Sequence, residues 1–295
     1  MRGRIFVVSV LSPAVGVALA AAAQQPPKHE PMAPMKGEMK EMPMPTTTGS
    51  LRVISPANGA RITTTDIPAR VAVSNFKVSA AAAGRPDVEG EGHIHVMVDG
   101  MTMGKLFNFY TTPDFTLPGR GLTPGQHTLI FDLASNTHED FANTVQKVTI
   151  NYRPRAVAVI PQPVTNPPPA VKILTPADGA TVPAQFTVTT RTPGFHPSLS
   201  LEGKDNIAGY GHLHVFVDMK MEPMQGEMKG DMKGGMEGEM MSMAGMVGMP
   251  GSSSFPVDLS GWPAGPHTLT VEAVQNDHTD IPGAKPAMIH IDLKK

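Results

Sequence analysis

The sequence predicts an all-β protein built from two antiparallel β-sandwich domains, together with disordered methionine-rich segments. Short β-branched segments recur along the chain, each bounded by Pro, Gly, Asn or Asp, and this pattern is typical of strands joined by turns. Amphipathic helical stretches do not occur after the first residues. Each group of segments has the size of an immunoglobulin-like sandwich, about 100 residues.

Five segments of the first domain predict strands, because they alternate apolar and polar residues or are rich in β-branched ones. They are Leu51–Ile54, Ala69–Val73, Ile94–Val98, His127–Leu133 and Val145–Tyr152. In Ile94–Val98 the alternation places Ile94, Val96 and Val98 on the buried face.

Composition divides the chain into a leader, a tail, two domains and a linker. Arg2 and Arg4, an apolar run and Ala21–Ala23 predict a signal peptide over residues 1–23. The tail, 24–50, is rich in Pro and Met and is predicted to be disordered. The first domain covers 51–153, a proline-rich linker 154–170, and the second domain 171–295 with a methionine-rich loop at 219–250.

The two domains are divergent copies of one unit. SPANGARI at Ser55–Ile62 corresponds to TPADGATV at Thr175–Val182, and a Gly-His-x-His phrase follows in both copies. The last two repeated histidines are 11 residues apart in each copy. The interval between the second and third repeated histidines is 21 residues longer in the second copy. The additional residues coincide with the methionine-rich insertion of that copy.

The overall composition narrows the class of function. The chain has no cysteine, 21 methionines and a net charge of −2. Soft-metal chemistry must therefore fall to methionine and histidine, because disulfides and thiolates are absent. The basic stripe that nucleic acid requires is missing, which excludes nucleic acid as the partner. After the leader, no stretch approaches the roughly 20 apolar residues of a membrane span.

Eight of the eleven histidines occupy matching positions in the two copies, and we predict that they are metal ligands. Residues two apart on a strand point to the same face, so two imidazoles in a His-x-His pair can both reach one ion at about 2.0–2.1 Å. Structural hydrogen bonding and another kind of ligand are the alternatives. The eight are His93, His95, His127, His138, His212, His214, His267 and His278.

Periodicity does not show that all four histidines of one copy converge. His127 alternates in phase with Leu129 and Phe131, which are predicted to face the core, whereas His93 and His95 face the other way. The four meet only if the strand of the pair crosses the mouth of the sandwich, or if the end of His127's strand twists over. The loops that carry His138 and His278 could close over such a site. Asp99 and Asp218, which follow the pairs, are predicted to form turns.

The methionine-rich loop is predicted to be flexible and to bind Cu(I) through its thioether sulfurs. Methionine recurs every fourth residue in it, but the intervening glycines disfavour a helix. Thioethers select Cu(I) and similar soft ions. Compositional drift and an adaptable surface for a protein partner are the alternatives. The regularly spaced residues are Met224, Met228, Met232, Met236 and Met240.

Two resemblances accompany these motifs. GHIHVMVDG at Gly92–Gly100 and LTPGQHTL at Leu122–Leu129 resemble an uncharacterised family of exported bacterial domains with GHxH and PGxHTL motifs. More loosely, the Ser55–Gly59 turn and the Asn136–His138 loop resemble CopC-type periplasmic copper-resistance proteins. That resemblance implies an immunoglobulin-like sandwich that binds copper. Those proteins use an N-terminal histidine as a ligand, whereas cleavage here would expose Gln24.

Together these patterns predict a periplasmic or otherwise extracytoplasmic protein that captures, stores or delivers copper, with zinc as the other candidate ion. Its partners would be the metal ion and a metal-delivery protein. No catalytic nucleophile motif is present, so we predict a binding protein and not an enzyme. The alternatives are a structural or adhesive cell-envelope protein, whose histidines only brace loops, and a copper-dependent redox enzyme.

Overall fold

A computed structural model describes residues 44–156, 159–219 and 243–295, and this part of the chain is all-β as predicted. The described segments contain strands, turns and single 3-10 turns. None of their helices is long and apolar enough to cross a membrane. The signal peptide, residues 24–43 of the tail and the methionines at 224, 228, 232, 236 and 240 lie outside the described residues.

The first repeat contains nine strands and three short 3-10 turns. The strands are β1 (Ser50–Ser55), β2 (Ala60–Ile62), β3 (Ile67–Ser74), β4 (Lys77–Val78), β5 (Glu91–Val98), β6 (Leu106–Tyr110), β7 (Asp114–Leu117), β8 (Gly125–Ala134) and β9 (Gln146–Tyr152), and the 3-10 turns are Ala80–Ala82, Met103–Lys105 and Ala142–Thr144. All five strands predicted in this repeat are present.

The second repeat contains the same series of strands and a 3-10 turn. They are β10 (Lys172–Thr175), β11 (Ala180–Pro183), β12 (Gln185–Arg191), β13 (His196–Pro197), β14 (Tyr210–Val217), β15 (Met246–Gly248), β16 (Ser254–Asp258), β17 (Gly265–Val274) and β18 (Ala287–Lys294), and the turn is Leu199–Leu201.

Each repeat has a three-stranded and a six-stranded sheet with the same strand order. In the first repeat the smaller sheet is β1-β3-β7, and the larger is β2-β9-β8-β5-β4 with β6 also paired to β5. In the second repeat the smaller sheet is β10-β12-β16, and the larger is β11-β18-β17-β14-β13 with β15 paired to β14. Because the strand order is the same in both copies, the sequence repeat is also a structural repeat.

A separate apolar core lies inside each sandwich. In the first repeat Ile94, Val96 and Val98 of β5 pack into it, which confirms the predicted buried face. In the second repeat Leu213 and Val215 of β14 do the same. The Gly-His-x-His strand is therefore fixed in the sheet by the apolar residues that alternate with its histidines.

The outer faces of the two six-stranded sheets pack against each other. A third apolar cluster joins Met97, Leu106 and Ile130 of the first repeat to Phe216, Met246 and Met249 of the second. We call these six residues the interface cluster. A main-chain hydrogen bond also links the repeats, in which Gly245 N–H donates to the Gly84 carbonyl at 2.8 Å. Both faces of β5 and β14 are consequently buried, the inner one in a sandwich core and the outer one between the repeats.

Candidate metal centre

The paired histidines lie on the outer faces of β5 and β14. His93 and His95 are 0% and 2% exposed, and His212 and His214 are 0% and 6% exposed. Histidine is rarely buried to this degree, and a buried polar side chain needs a partner. The neighbours of these four rings therefore determine what the site can do.

A reversal of the chain after β8 brings a third histidine to the pair. Strand β8 runs antiparallel to β5 and its last residue, Ala134, lies opposite His93. The next residues turn back, with His138 N–H donating to the Ser135 carbonyl at 3.1 Å. His138 adopts a left-handed conformation at φ 70°, and His278 of the second repeat does so at φ 65°. Such a conformation is uncommon for a residue other than glycine and marks a local constraint.

The glycine before each histidine pair is required by this close approach. A Cβ atom on Gly92 would lie 2.0 Å from the Ala134 carbonyl oxygen, and one on Gly211 would lie 1.9 Å from the Val274 carbonyl oxygen. The Gly-His phrase thus has a steric cause that sequence periodicity does not reveal.

We expect Gly92→Ala to destabilise the protein by at least about 1–3 kcal/mol, because the added methyl group must push β8 away from β5. Gly125→Ala is the matched control, since the nearest atom to its Cβ would be the Thr123 carbonyl oxygen at 4.0 Å. The urea midpoint measures both. Equal midpoints for the two variants would contradict the steric explanation.

The three histidines of the first repeat point one nitrogen each at a common centre. Nε2 of His93 is 3.0 Å from Nε2 of His95 and 2.8 Å from Nδ1 of His138. The remaining edge, from His95 Nε2 to His138 Nδ1, is 3.3 Å. These nitrogens form a small triangle, and they are one of the groups in the described residues able to hold a metal ion.

The second repeat builds the same triangle from His212, His214 and His278. Its edges are 3.1, 3.1 and 3.2 Å. An ion at the usual metal–nitrogen distance of about 2.0–2.1 Å from all three corners would lie about 1 Å out of the plane of the nitrogens. That is a tripod of ligands, and it leaves the opposite side of the ion open for further ligands.

The third histidine of each triad is oriented by the other repeat. His138 Nε2–H donates to the Met246 carbonyl at 3.3 Å, and His278 Nε2–H donates to the Leu106 carbonyl at 3.1 Å. Because a carbonyl can only accept, the proton sits on Nε2 and the lone pair on Nδ1 faces the triad. Docking of the two repeats therefore selects the tautomer in which the Nδ1 lone pair faces the triad.

A carboxylate lies beside the second histidine of each pair, at hydrogen-bond distance in the first repeat. His95 Nδ1 contacts Asp140 Oδ1 at 2.6 Å, and His214 Nδ1 lies 3.4 Å from Glu272 Oε1. An anion behind an imidazole holds its ring in place and makes the opposite nitrogen a better ligand. In the first repeat Asp132 lies close to both His95 and Asp140. Burial, and then the charge of Asp140, raise the pKa of Asp132 to about 9.

Burial holds two imidazoles of the first triad, those of His93 and His138, in the neutral form. Burial, and then the charges of His138 and His95, lower the pKa of His93 well below its ordinary value. Burial, and then the charge of His95, lower the pKa of His138 to about 3. The neutral His138 ring therefore has an Nδ1 lone pair that faces the triad and is available to a bound cation.

The same causes act in the second triad. Burial and then the charges of His278 and His214 lower the pKa of His212 well below its ordinary value. Burial, and then the charge of His214, lower the pKa of His278 to about 3. The charge of His95, from the other repeat, also lowers the pKa of His278. The two triads are therefore close enough for their charges to interact.

Glu202 distinguishes the second centre from the first. Its carboxylate is 0% exposed, lies 3.9 Å from His212 Nδ1, and has one oxygen without a hydrogen-bond partner. Burial raises the pKa of Glu202 well above its ordinary value. Ala83 occupies the matching position of the first repeat, so only the second triad has a carboxyl group at this place.

The structure places His127 and His267, which were predicted as metal ligands, apart from both triads. His127 Nδ1 contacts Asp99 Oδ2 at 2.7 Å and its Nε2–H donates to the Thr123 carbonyl at 2.8 Å, so both nitrogens are already used. His267 is held in the same way by Asp218 and Pro263. Both rings lie on the core side of the sheet, as their phase predicts, whereas the triads lie on the outer face.

The turn role predicted for Asp99 and Asp218 is confirmed. Each has a left-handed backbone conformation, at φ 57° and 52°. Each also accepts a main-chain N–H with its second oxygen, from Thr128 at 2.8 Å and from Thr268 at 2.9 Å. These aspartates anchor the turn to the start of β8 or β17 and are not part of either triad.

Replacing His127 with alanine should lower the free energy of unfolding by about 1–3 kcal/mol, because it removes a buried imidazole and its two hydrogen bonds, to the Asp99 carboxylate and the Thr123 carbonyl. The metal content of the purified protein should stay the same. Urea unfolding and elemental analysis measure the two quantities, and a fall in bound metal would return His127 to the ligand set.

Sequence reasoning missed the carboxylates that support the triads. Asp132 and Glu272 lie opposite His95 and His214 across paired strands, at matching positions in the two copies. Asp140 and Asp280 each follow the third histidine by two residues. The recurrence of acids at these places was a usable signal, because a charged residue on a buried strand face needs a partner.

No family model and no curated protein matches the chain. Among solved structures, the fibronectin(III)-like modules of Clostridium thermocellum CbhA are 14% identical, with 83% of this chain and 94% of that one covered and a TM-score of 0.25. A BSP domain of a biofilm associated protein is 15% identical over 83% of this chain and 29% of that one, with a TM-score of 0.19. The D00-D0 domain of Intimin is 9% identical over 82% and 98%, with a TM-score of 0.20.

Proposed function

We propose that this protein binds two transition-metal ions, one at each histidine triad, and that it captures, stores or delivers copper outside the cytoplasm. The observation that carries the proposal is the pair of nitrogen triangles, with edges of 2.8–3.3 Å, built from equivalent residues of two divergent repeats. The extracytoplasmic location is proposed from the leader pattern of residues 1–23.

The ligand set favours copper and zinc among the common ions. Neutral imidazole nitrogen suits both, whereas magnesium and calcium require oxygen ligands. Copper(II) binds nitrogen sites more tightly than zinc does. The methionine-rich insertion adds a possible Cu(I) function to the same chain, because thioethers select that ion. Copper is therefore the single metal that both kinds of side chain support.

Burial of the two triads favours retention of a bound ion over rapid catalytic turnover of a substrate at that ion. His93 and His212 are fully buried at the contact between the repeats, and the third ligand of each triad is held by a carbonyl of the other repeat. An ion bound there would leave only after the contact between repeats opened or the His138 or His278 turn moved. We therefore propose a binding protein and not an enzyme.

Metal analysis of the full mature chain tests the proposal. The protein is purified without a histidine tag, stripped with chelator, and loaded separately with Cu(II), Cu(I) and Zn(II). We expect two Cu(II) or Zn(II) ions per chain, and one when either His93 and His95 or His212 and His214 become alanine. Copper that disappears only when residues 220–242 are deleted would transfer the function to the methionine-rich insertion.

A structural or adhesive role in the cell envelope is the second candidate. Two sandwiches in tandem support it, as does the use of His127 and His267 purely as hydrogen-bonding braces. Under this function the triads would stabilise the contact between the repeats without metal. Metal-free protein would then match metal-treated protein in thermal stability, whereas tight metal binding raises the melting temperature.

A further inference from the structure

We propose that the thioether of Met249 is the fourth ligand of the second triad, so that His212, His214, His278 and Met249 form a Cu(I) site. The first triad has Phe109 at the same place and binds through three nitrogens. The two centres would then differ in metal preference. This inference rests on the proposed function, because it adds a ligand to one of the two centres.

Strand register places Met249 beside the triad. In the second repeat Val215 lies opposite Gly248, and Leu213 N–H donates to the Pro250 carbonyl at 3.0 Å. These two pairings have the same antiparallel register, so Met249 lies opposite His214. Residues directly opposite on neighbouring strands project from the same face, with Cβ atoms about 4.5–5.5 Å apart.

The first repeat shows what this position contacts. Phe109 lies opposite His95 in the matching register of β5 and β6. Its ring centroid is 4.8 Å from that of His93 and 5.0 Å from that of His138, so a side chain at this position covers the triad. Met249 is only 4% exposed and belongs to the interface cluster. A methionine confined to the same place has the length and flexibility to bring its sulfur to the open side of the tripod.

The chemistry of the Met249 and Phe109 side chains predicts which metal ion each triad prefers. A thioether is a soft, uncharged ligand that selects Cu(I), whereas the ligands that proteins use for Zn(II) are thiolate, imidazole and carboxylate. A phenyl ring offers no lone pair and excludes water from the open side. Loss of the Met249 sulfur should therefore weaken Cu(I) binding selectively, and zinc binding should change little.

The test uses full chains in which only one triad is intact. In the background that carries His93→Ala and His95→Ala, Met249→Leu should lower the Cu(I) affinity of the second triad on the order of 10-fold or more. Zn(II) affinity should stay within about 2-fold. Met97→Leu, at a buried position of the interface cluster, is the matched control. Competition with a chromophoric Cu(I) chelator and a fluorescent zinc chelator measures the affinities.

The reciprocal variant keeps the test valid if Met249→Leu does not fold. With His212 and His214 replaced by alanine, Phe109→Met should raise the Cu(I) affinity of the first triad. Unchanged Cu(I) affinity in both variants, or equal changes for Cu(I) and Zn(II), would overturn the role of Met249 while leaving the triads as metal sites. If the wild-type chain bound neither Cu(II) nor Zn(II), the proposed function would fail with it.

Discussion

His138→Ala is expected to remove one of the two bound metal ions and to lower the affinity of the first centre by more than about 100-fold, because even outer groups that only orient a ligand contribute 10–100-fold. His138 Nδ1 forms two edges of the first triangle, at 2.8 and 3.3 Å. His278→Ala should do the same at the second centre. Isothermal titration with Zn(II) and Cu(II) measures the affinity and number of sites.

The control for this pair of variants is His127→Ala. All three remove a buried imidazole, but His127 makes only hydrogen bonds to Asp99 and Thr123. A stoichiometry of two that survives in His138→Ala, or a loss of metal in His127→Ala equal to that in His138→Ala, would contradict the assignment of ligands.

Acidification is expected to destabilise the metal-free protein strongly. In the unfolded chain a histidine titrates at a pKa of about 6.5, whereas in the folded protein the pKa of His138 and of His278 is about 3. Between these values the unfolded chain binds more protons. The free energy of unfolding should therefore fall as the pH drops below about 6.5, by up to about 1.4 kcal/mol per pH unit for each such histidine, until the folded state is protonated near pH 3.

Urea unfolding of stripped protein at pH 7.5 and pH 5.5 measures this effect. His93 and His212, whose pKa values also lie well below the ordinary value, should add to the same slope. A chain with His138→Gln and His278→Gln should show a flatter dependence, because it has lost two of the groups that titrate. Equal midpoints at the two pH values in the unmodified chain would show that the triads are not held neutral.

The two centres are built jointly by the two repeats. Each triad takes two ligands from a strand and one from the following turn of its own repeat, and the other repeat supplies the carbonyl that fixes the tautomer of the third ligand. The interface cluster lies between the same sheets. Metal binding at one centre should therefore stabilise the contact on which the other centre depends.

Sequence periodicity predicted five of the nine strands of the first repeat and the sheet faces on which His93, His95 and His127 lie. It separated His93 and His95 from the core-facing Ile94, and it placed His127 in phase with the core. His127, which was included among the predicted ligands, lies on the opposite face of the sheet from His93 and His95 and contacts Asp99 and Thr123 instead. All four histidines recur in both copies, and their recurrence does not distinguish the histidines of the triads from the histidine that braces a turn.

Tertiary contacts account for what the sequence did not predict. The approach of His138 to the pair depends on the register of β5 with β8, in which Ala134 lies opposite His93, and on a turn with a left-handed residue. The burial of the outer sheet face depends on the second repeat, which no local pattern in the first repeat encodes. For this reason sequence periodicity did not identify the buried carboxyl group of Asp132 beside the first triad.

The most direct test of the two-centre account is a crystal structure of the copper-loaded chain with data collected on both sides of the copper absorption edge. The account predicts two anomalous peaks, one about 2.0–2.1 Å from Nε2 of His93, Nε2 of His95 and Nδ1 of His138, and one equally placed in the triad of His212, His214 and His278. Peaks at other side chains only, or fully loaded crystals without a peak at either triad, would contradict it.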